Sequence, residues 1–173
     1  MTELRPYEEN HAETVLSWIP DEKTMKMWSV DRFTHFPITA QELNEYYSSF
    51  SPSDNFSVWT FCDDGETVGH ITLKHDKKAD SVRFALIIVD SAKRGRGYGK
   101  KMLSSALEYA FNSLNAKEAT LGVYDKNVSA YNCYINLGFY AMPERYDLHY
   151  AFLGEDWRFI QLKMAAEDYK GAK

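Results

Sequence analysis

A glycine-rich and basic segment, residues 93–101, carries the strongest chemical signal in this sequence. It reads KRGRGYGKK. Alternate glycines let the backbone adopt positive φ and come close to a ligand. An apolar run precedes the segment and a helical pattern follows it, so several N–H groups and the positive end of a helix dipole converge there. Five of the nine side chains are basic, in a chain of net charge −5. The segment therefore predicts a loop that binds phosphate.

Two common nucleotide-binding motifs do not match this segment. A Walker loop needs Gly-Lys followed by Ser or Thr, whereas Gly99-Lys100 is followed by Lys101. A Rossmann fingerprint needs G-x-G-x-x-G in an early βαβ unit, whereas the glycines here follow G-x-G-x-G. What remains is Arg-x-x-Gly-x-Gly, formed by Arg94, Gly97 and Gly99.

A second block, residues 121–139, has an apolar strand pattern, then Asn127, then Tyr134 seven residues later, and ends in Gly138-Phe139. In this order and spacing, the two blocks resemble the GNAT superfamily of acetyl-CoA-dependent N-acetyltransferases. The resemblance covers roughly residues 80 to 140. It implies acetyl-CoA as the co-substrate.

The resemblance also implies how the cofactor binds. Backbone N–H groups of residues 94–99 would hold the pyrophosphate, while the basic side chains pair with the 3′-phosphate or raise the local potential. A strand ending at Val89 would separate from its neighbour, so that pantetheine pairs with its backbone and one N–H serves as oxyanion donor. Asn127 would bind pantetheine or cap a helix. The implied cofactor-binding residues are Ile87, Ile88, Val89, Arg94, Gly95, Arg96, Gly97, Tyr98, Gly99, Lys100 and Asn127.

Tyr134 matches the family's general acid, which protonates the departing CoA sulfur. Tyr131 and Tyr124 are nearby tyrosines that could be mistaken for it. The general base is not evident, because the strand position where several relatives carry a glutamate is Gly122 here. His70 and a distant carboxylate acting through water are the alternatives.

The N-terminal third is expected to build the acceptor site. Its aromatic residues either form a wall for a cationic amine or pack in the core: Trp18, Trp28, Phe33, His35, Phe36, Tyr46 and Tyr47. Its acidic residues either attract a cation or face solvent: Asp21, Glu22, Asp31, Glu42 and Glu45. The final hairpin, with His149, Tyr150, Asp156 and Trp157, resembles ribosomal-protein N-terminal acetyltransferases, and Leu16-Ser17-Trp18 loosely resembles a pattern of aminoglycoside 6′-acetyltransferases. These resemblances imply a small-molecule or peptide primary amine as the acceptor.

The predicted helices and strands that position these residues indicate an α+β fold. Strands are predicted at 2–7, 56–62, 67–74, 81–89, 118–124, 139–145 and 157–164, and helices at 9–19, 39–49, 102–114 and 129–137. Residues 25–36 look irregular, and the tail after Ala165 is expected to fray. The resemblance implies a GNAT-like three-layer arrangement, with a mixed, mostly antiparallel sheet of about seven strands flanked by about four helices.

Composition limits the class of protein. A chain of 173 residues with 45% hydrophobic content predicts one packed domain, 1–173. Cys62 and Cys133 lack metal-ligand spacing, so no metal is expected. Early acidic residues and the lack of a long apolar stretch argue against a signal peptide and a membrane span, and favour a cytoplasmic protein. The acidic balance argues against nucleic-acid binding. The sequence is compatible with a homodimer.

Two functional hypotheses follow. The first is an N-acetyltransferase in which the amine attacks acetyl-CoA directly in a ternary complex, since no Cys-His-Asp arrangement suggests a covalent intermediate. The alternative is a non-catalytic CoA-binding or regulatory module with the same fold. Loss of turnover on replacing Tyr134 would distinguish them.

Overall fold

In the computed structural model, which describes residues 1–171, eight strands form one sheet. They are β1 (Thr2–Pro6), β2 (Phe56–Asp63), β3 (Glu66–Asp76), β4 (Ser81–Val89), β5 (Glu118–Tyr124), β6 (Tyr140–Ala141), β7 (Leu148–Phe152) and β8 (Glu155–Ala165). Their order is β1-β2-β3-β4-β5-β8-β6, and β7 also pairs with β8. The β4–β5 pair is parallel and the other pairs are antiparallel.

Five α-helices cover the two faces of the sheet. They are α1 (Ala12–Ser17), α2 (Glu22–Ser29), α3 (Ala40–Ser48), α4 (Tyr98–Glu108) and α5 (Val128–Leu137). Buried side chains of α1, α2 and α3 form one apolar cluster with Leu86 and Ile88. Those of α4 and α5 form a second cluster with Val82 and Phe84. The sheet therefore lies between two helical layers, and the predicted three-layer α+β fold is confirmed.

Local sequence signals explain where several helices begin. Asp21 accepts a hydrogen bond from the Thr24 N–H at 2.7 Å at the start of α2. Thr39 and Glu42 form the expected capping box at α3, since each side chain bonds the other's backbone N–H. These caps satisfy N–H groups that the first helical turn leaves without partners.

Several sequence predictions need correction. Residues 25–36 are not wholly irregular, because α2 runs through Ser29 and buries Met25 and Trp28. The C-terminal hairpin contains an additional strand, β7, which is only five residues long and has three exposed residues, so its short alternation of Leu148, Tyr150 and Phe152 was missed. The tail is ordered as far as Tyr169, whose hydroxyl donates to the Ser104 carbonyl at 3.2 Å. Residues 172 and 173 lie outside the described residues.

Across residues 1–171, none of the helices has the length and apolar content that a membrane span requires.

Candidate active site

Strands β4 and β5 separate partway along their length. They pair only at Ser81 with Glu118, Val82 with Ala119, and Arg83 with Thr120. Beyond this point β5 continues to pair with β8 on its other side, as far as Tyr124 with Phe159. A gap therefore opens in the middle of the sheet and widens toward the C-terminal end of β4.

A β-bulge redirects β4 where the gap opens. His70 pairs with Ile88 and Thr72 with Ala85, so Ile71 of β3 opposes two residues of β4. One of these, Leu86, has φ +49°, an uncommon conformation for a leucine. The bulge changes which face each residue occupies. As a result, residues 82 and 84 pack with α4, whereas residues 86 and 88 pack with α1–α3.

The bulged strand presents backbone donors to the gap. The Asp90 N–H donates to the Val68 carbonyl of β3 at 3.0 Å. Alternate N–H groups of a strand point to opposite edges. The N–H groups of Ile87 and Val89 therefore point away from β3, toward the edge that β5 has left. An amide-containing ligand can pair with this edge like an added strand.

A cavity of about 360 Å³ occupies the gap. Three of the predicted site residues, Ile87, Asn127 and Tyr134, lie on its wall. Ile88 points into the α1–α3 cluster instead. Val89 and residues 94–100 are not on the cavity wall, because they lie farther along the chain, where β4 leads into α4.

The predicted phosphate loop has the backbone conformation that its glycines allow. Gly95 and Gly97 have φ +77° and +80°. Gly97 is the N-cap residue of α4, and among residues 1–171 no side chain caps this helix. The first N–H groups of α4, including those of Tyr98, Gly99 and Lys100, are therefore available to an anion.

The basic side chains of the loop divide into two groups. Lys93 forms an ion pair with Glu66 at 2.5 Å, and the Tyr98 hydroxyl donates to Asp63 at 2.6 Å. This hydrogen bond lowers the pKa of the Asp63 carboxyl. Both contacts fasten the loop to the β2–β3 hairpin. The other basic side chains form no ion pair within the described part of the chain: Arg94, Arg96, Lys100 and Lys101.

Tyr134 lies on α5 with only 6% of its surface exposed, and it contributes to the cavity wall. Its ring packs edge-on against Phe139 at 6.2 Å. Burial raises the pKa of the Tyr134 hydroxyl above its ordinary value. The hydroxyl is therefore protonated at neutral pH and can act as a proton donor to a group in the cavity.

Asn127 is the N-cap of α5. Its Oδ1 accepts a hydrogen bond from the Ala130 N–H at 3.3 Å. The cap uses only the carbonyl half of the amide, so the Nδ2 donors stay available for a ligand in the cavity. The two roles considered from the sequence are therefore compatible.

His70 is not on the cavity wall. It is fully buried in the cluster beneath α1–α3, with its Nε2 hydrogen-bonded to the Tyr47 hydroxyl at 2.7 Å. Burial lowers the pKa of His70 to about 3. His70 therefore lies in the core and not at the cavity, so it is not positioned to act as a base there.

The rest of the cavity wall includes several polar residues and differs from the sequence expectation. Of the aromatic residues considered for the acceptor wall, only Trp28 lines the cavity, and of the acidic residues only Asp31. Asp21 and Glu42 cap helices instead. The remaining polar residues in this part of the wall are Arg32, Arg83, Tyr124 and Tyr150. Arg83 was missed, although a charge inside an otherwise apolar strand is a signal for it.

Gly122 explains why the strand carries no catalytic carboxylate here. A Cβ at this position would lie 2.2 Å from the Phe159 ring and 2.9 Å from the Arg83 guanidinium. These two side chains occupy the space that a longer side chain would need, so a glutamate does not fit this site without rearrangement.

Known proteins with the same fold include polyamine acetyltransferases. The spermidine N-acetyltransferase of Vibrio cholerae in complex with CoA and spermine is 20% identical over 97% of this chain and 97% of that one, with a TM-score of 0.80. A mutant of that enzyme has a TM-score of 0.79 at 20% identity, covering 98% of this chain and 96% of that one. A chimera of it with a human enzyme has a TM-score of 0.78 at 19% identity, with 97% of each chain covered. At these identities the likeness shows the fold.

The family model described as an acetyltransferase (GNAT) domain matches residues 2–140, most of the chain. This match includes the bulged strand, the glycine-rich loop of residues 93–101, Asn127 and Tyr134. This chain therefore belongs to the GNAT family of N-acetyltransferases, enzymes whose co-substrate is acetyl-CoA.

Proposed function

We propose that this enzyme acetylates the primary amine of a small molecule by direct attack on acetyl-CoA in a ternary complex. The observation that carries the proposal is the cavity between β4 and β5. It joins Ile87, Asn127 and Tyr134 to a polar region on the far side of the gap. Its volume of about 360 Å³ is in the ordinary range for small-molecule sites.

In the proposed complex, pantetheine pairs with the free edge of β4 and the pyrophosphate lies at the start of α4. An N–H group of β4, that of Ile87 or Val89, donates to the thioester oxygen as negative charge develops on it. One such donor contributes ~2.7–4 kcal/mol of transition-state stabilisation. Asn127 fixes the pantetheine with its Nδ2 group.

The chemical step then needs two proton transfers. The amine nitrogen attacks the thioester carbon, and the tetrahedral intermediate breaks its C–S bond. Tyr134 gives its phenolic proton to the departing sulfur. An acceptor bound as an ammonium first loses one proton through water toward Asp31, which among residues 1–171 is the only carboxylate on the cavity wall, and the nitrogen of the tetrahedral intermediate loses its second proton by the same route.

The first test measures acetyl-CoA binding by thermal shift and thiol release with a panel of amines: a polyamine, an aminoglycoside, free amino acids and an N-terminal peptide. We expect acetyl-CoA to stabilise the protein and a small amine to release thiol. Stabilisation without release from any amine would favour the CoA-binding module. Absence of stabilisation at millimolar acetyl-CoA would refute the proposed complex.

Replacing Tyr134 by Phe tests the general acid. Because a thiolate is already a fair leaving group, we expect kcat to fall about 10²-fold, at the lower end for such groups, with an unchanged Kd for acetyl-CoA. Tyr131→Phe is the matched control, since Tyr131 lies on the same helix and not on the cavity wall. Equal kcat values for the two variants would remove Tyr134 from the chemistry.

A further inference from the structure

We infer that the acceptor carries a carboxylate in addition to its reacting amine, and that Arg83 binds this carboxylate. The inference rests on the proposed function, because it specifies the substrate of the same cavity. A simple polyamine has no such carboxylate. It would make the acceptor an amino acid in the broad sense, with the amine and the acid at opposite ends.

Among the described residues, Arg83 has no ionic partner. It belongs to the last residue pair that joins β4 to β5, and its side chain lies on the cavity wall. Within residues 1–171, Arg83 forms neither an ion pair nor a side-chain hydrogen bond. Burial, together with repulsion from Arg32, lowers the pKa of Arg83 to about 10, so the group is still charged at neutral pH. An unpaired and half-buried charge on a cavity wall is partly desolvated, and an anionic ligand would compensate it.

Tyr124 provides a second observation on the wall of the same cavity. It is 1% exposed and lines the cavity, and its buried hydroxyl has no hydrogen-bond partner among the described residues. Buried polar groups without partners are rare in folded proteins. Arg32 and Tyr150 influence the pKa values of both Tyr124 and Arg83, so the two groups share neighbours. A carboxylate bound to the guanidinium could also accept a hydrogen bond from this hydroxyl.

The charge of the cavity points the same way. Two guanidinium groups, Arg32 and Arg83, line it together with one carboxylate, Asp31. This local excess of positive charge occurs in a chain of net charge −5. A polycation would add to the excess, whereas an acceptor with one amine and one carboxylate would pair its acid with an arginine and leave its ammonium free to approach Asp31.

The strand geometry sets the approximate length of the acceptor. Arg83 precedes Ile87 by four residues, but the bulge at Leu86 shortens this part of β4, so their separation along the strand is less than the ~13 Å of a regular strand. The arginine side chain spans part of this distance, so several bonds should separate the carboxylate from the amine. We therefore expect ω-amino acids to be better acceptors than α-amino acids.

The experiment compares three matched series of acceptors: ω-amino acids of increasing length, their primary amides, and diamines of equal length. Each series is assayed for kcat/KM with acetyl-CoA at saturation. We expect an amino acid to be preferred over its amide by about tenfold or more, because hydrogen bonds to charged groups contribute more than neutral ones. We expect the diamine to be no better than the amide.

Three variants separate a binding role from a structural one. Arg83→Gln should raise KM for the best amino acid by about tenfold or more and leave KM for its amide and for acetyl-CoA unchanged. Arg83→Lys should retain part of the preference for the amino acid over its amide, since lysine keeps the positive charge but cannot form the two parallel hydrogen bonds of a guanidinium. Arg145→Gln is the control, because Arg145 is an exposed arginine stacked on Tyr146.

Calorimetric titration of the CoA-bound enzyme with the same compounds gives a readout that does not depend on turnover. Amides or diamines accepted as well as amino acids would overturn the inference and leave the proposed function standing. If no amine is acetylated, the proposed function fails. Amino-acid binding that is lost in Arg83→Gln would then still support the carboxylate site, and equal binding to both proteins would overturn it.

Discussion

Asn127 shows how one side chain can serve both the fold and the ligand. Its Oδ1 caps α5 by accepting from the Ala130 N–H. Its Nδ2 group is the part that the proposed complex assigns to pantetheine. Two substitutions can therefore separate functions that a single replacement would confuse.

We predict that Asn127→Ser and Asn127→Ala both weaken acetyl-CoA binding, because both remove the Nδ2 donors. Only Asn127→Ala should lower the free energy of unfolding, by about 1 kcal/mol, since serine retains a capping oxygen. Calorimetry with CoA and denaturant unfolding measure the two effects. Wild-type affinity for CoA in Asn127→Ser would show that Asn127 is only a cap.

At the scale of elements, the predicted phosphate loop has a backbone conformation that its glycines allow. Gly97 has φ +80°, and a Cβ placed there would meet no atom within 4 Å. Any effect of a small side chain at this position is therefore conformational. The loop is held at one side by the contacts of Lys93 and Tyr98 with the β2–β3 hairpin.

We predict that Gly97→Ala strains the left-handed position by about 1–2 kcal/mol and raises the Kd for acetyl-CoA several-fold. Gly97→Asn should have a smaller effect, because asparagine tolerates this region better. Titration of each variant with CoA, and with dephospho-CoA as a second ligand, measures the change. Equal Kd values for Gly97→Ala and the wild type would mean that the loop does not need this conformation.

The sequence allows prediction of those elements whose signals are local. The phosphate loop, the capping box at Thr39 and the Asn127–Tyr134 spacing each lie within a few residues, and the structure contains a loop, a helix start and a capped helix there. The bulge at Leu86 gives no such signal, because it arises from the register between β3 and β4. Arg83 interrupts the apolar pattern of β4, but only the separation of β5 shows that it lies on a cavity.

At the scale of the whole molecule, the sheet separates two apolar clusters of different character. The cluster with α4 and α5 is mostly aliphatic. The cluster beneath α1–α3 is rich in aromatic rings and encloses a histidine, His70, packed against Tyr7, Tyr47 and Trp28. Its Nδ1 has no hydrogen-bond partner within the described residues, and burial lowers its pKa to about 3. The second cluster therefore contains a group whose protonation the packed state disfavours.

This group makes the stability of the fold depend on pH. The folded protein keeps His70 neutral, while the unfolded chain protonates it below its ordinary pKa of 6.5. Above pH 6.5 the two states bind the same number of protons at this group, and stability is unaffected. Below pH 6.5 the unfolded state binds more protons, so stability falls as the pH drops toward 3. At pH 4.5 the expected loss is about 3 kcal/mol.

Denaturant unfolding between pH 7.5 and 4.5 should show this loss in the wild type and in His149→Gln, which changes an exposed histidine. The His70→Gln variant can differ in stability at pH 7.5. Between pH 7.5 and 4.5, however, its free energy of unfolding should fall by about that amount less than the free energy of unfolding of the wild type. Parallel slopes in the two variants would mean that His70 gains a proton in the folded protein as readily as in the unfolded chain.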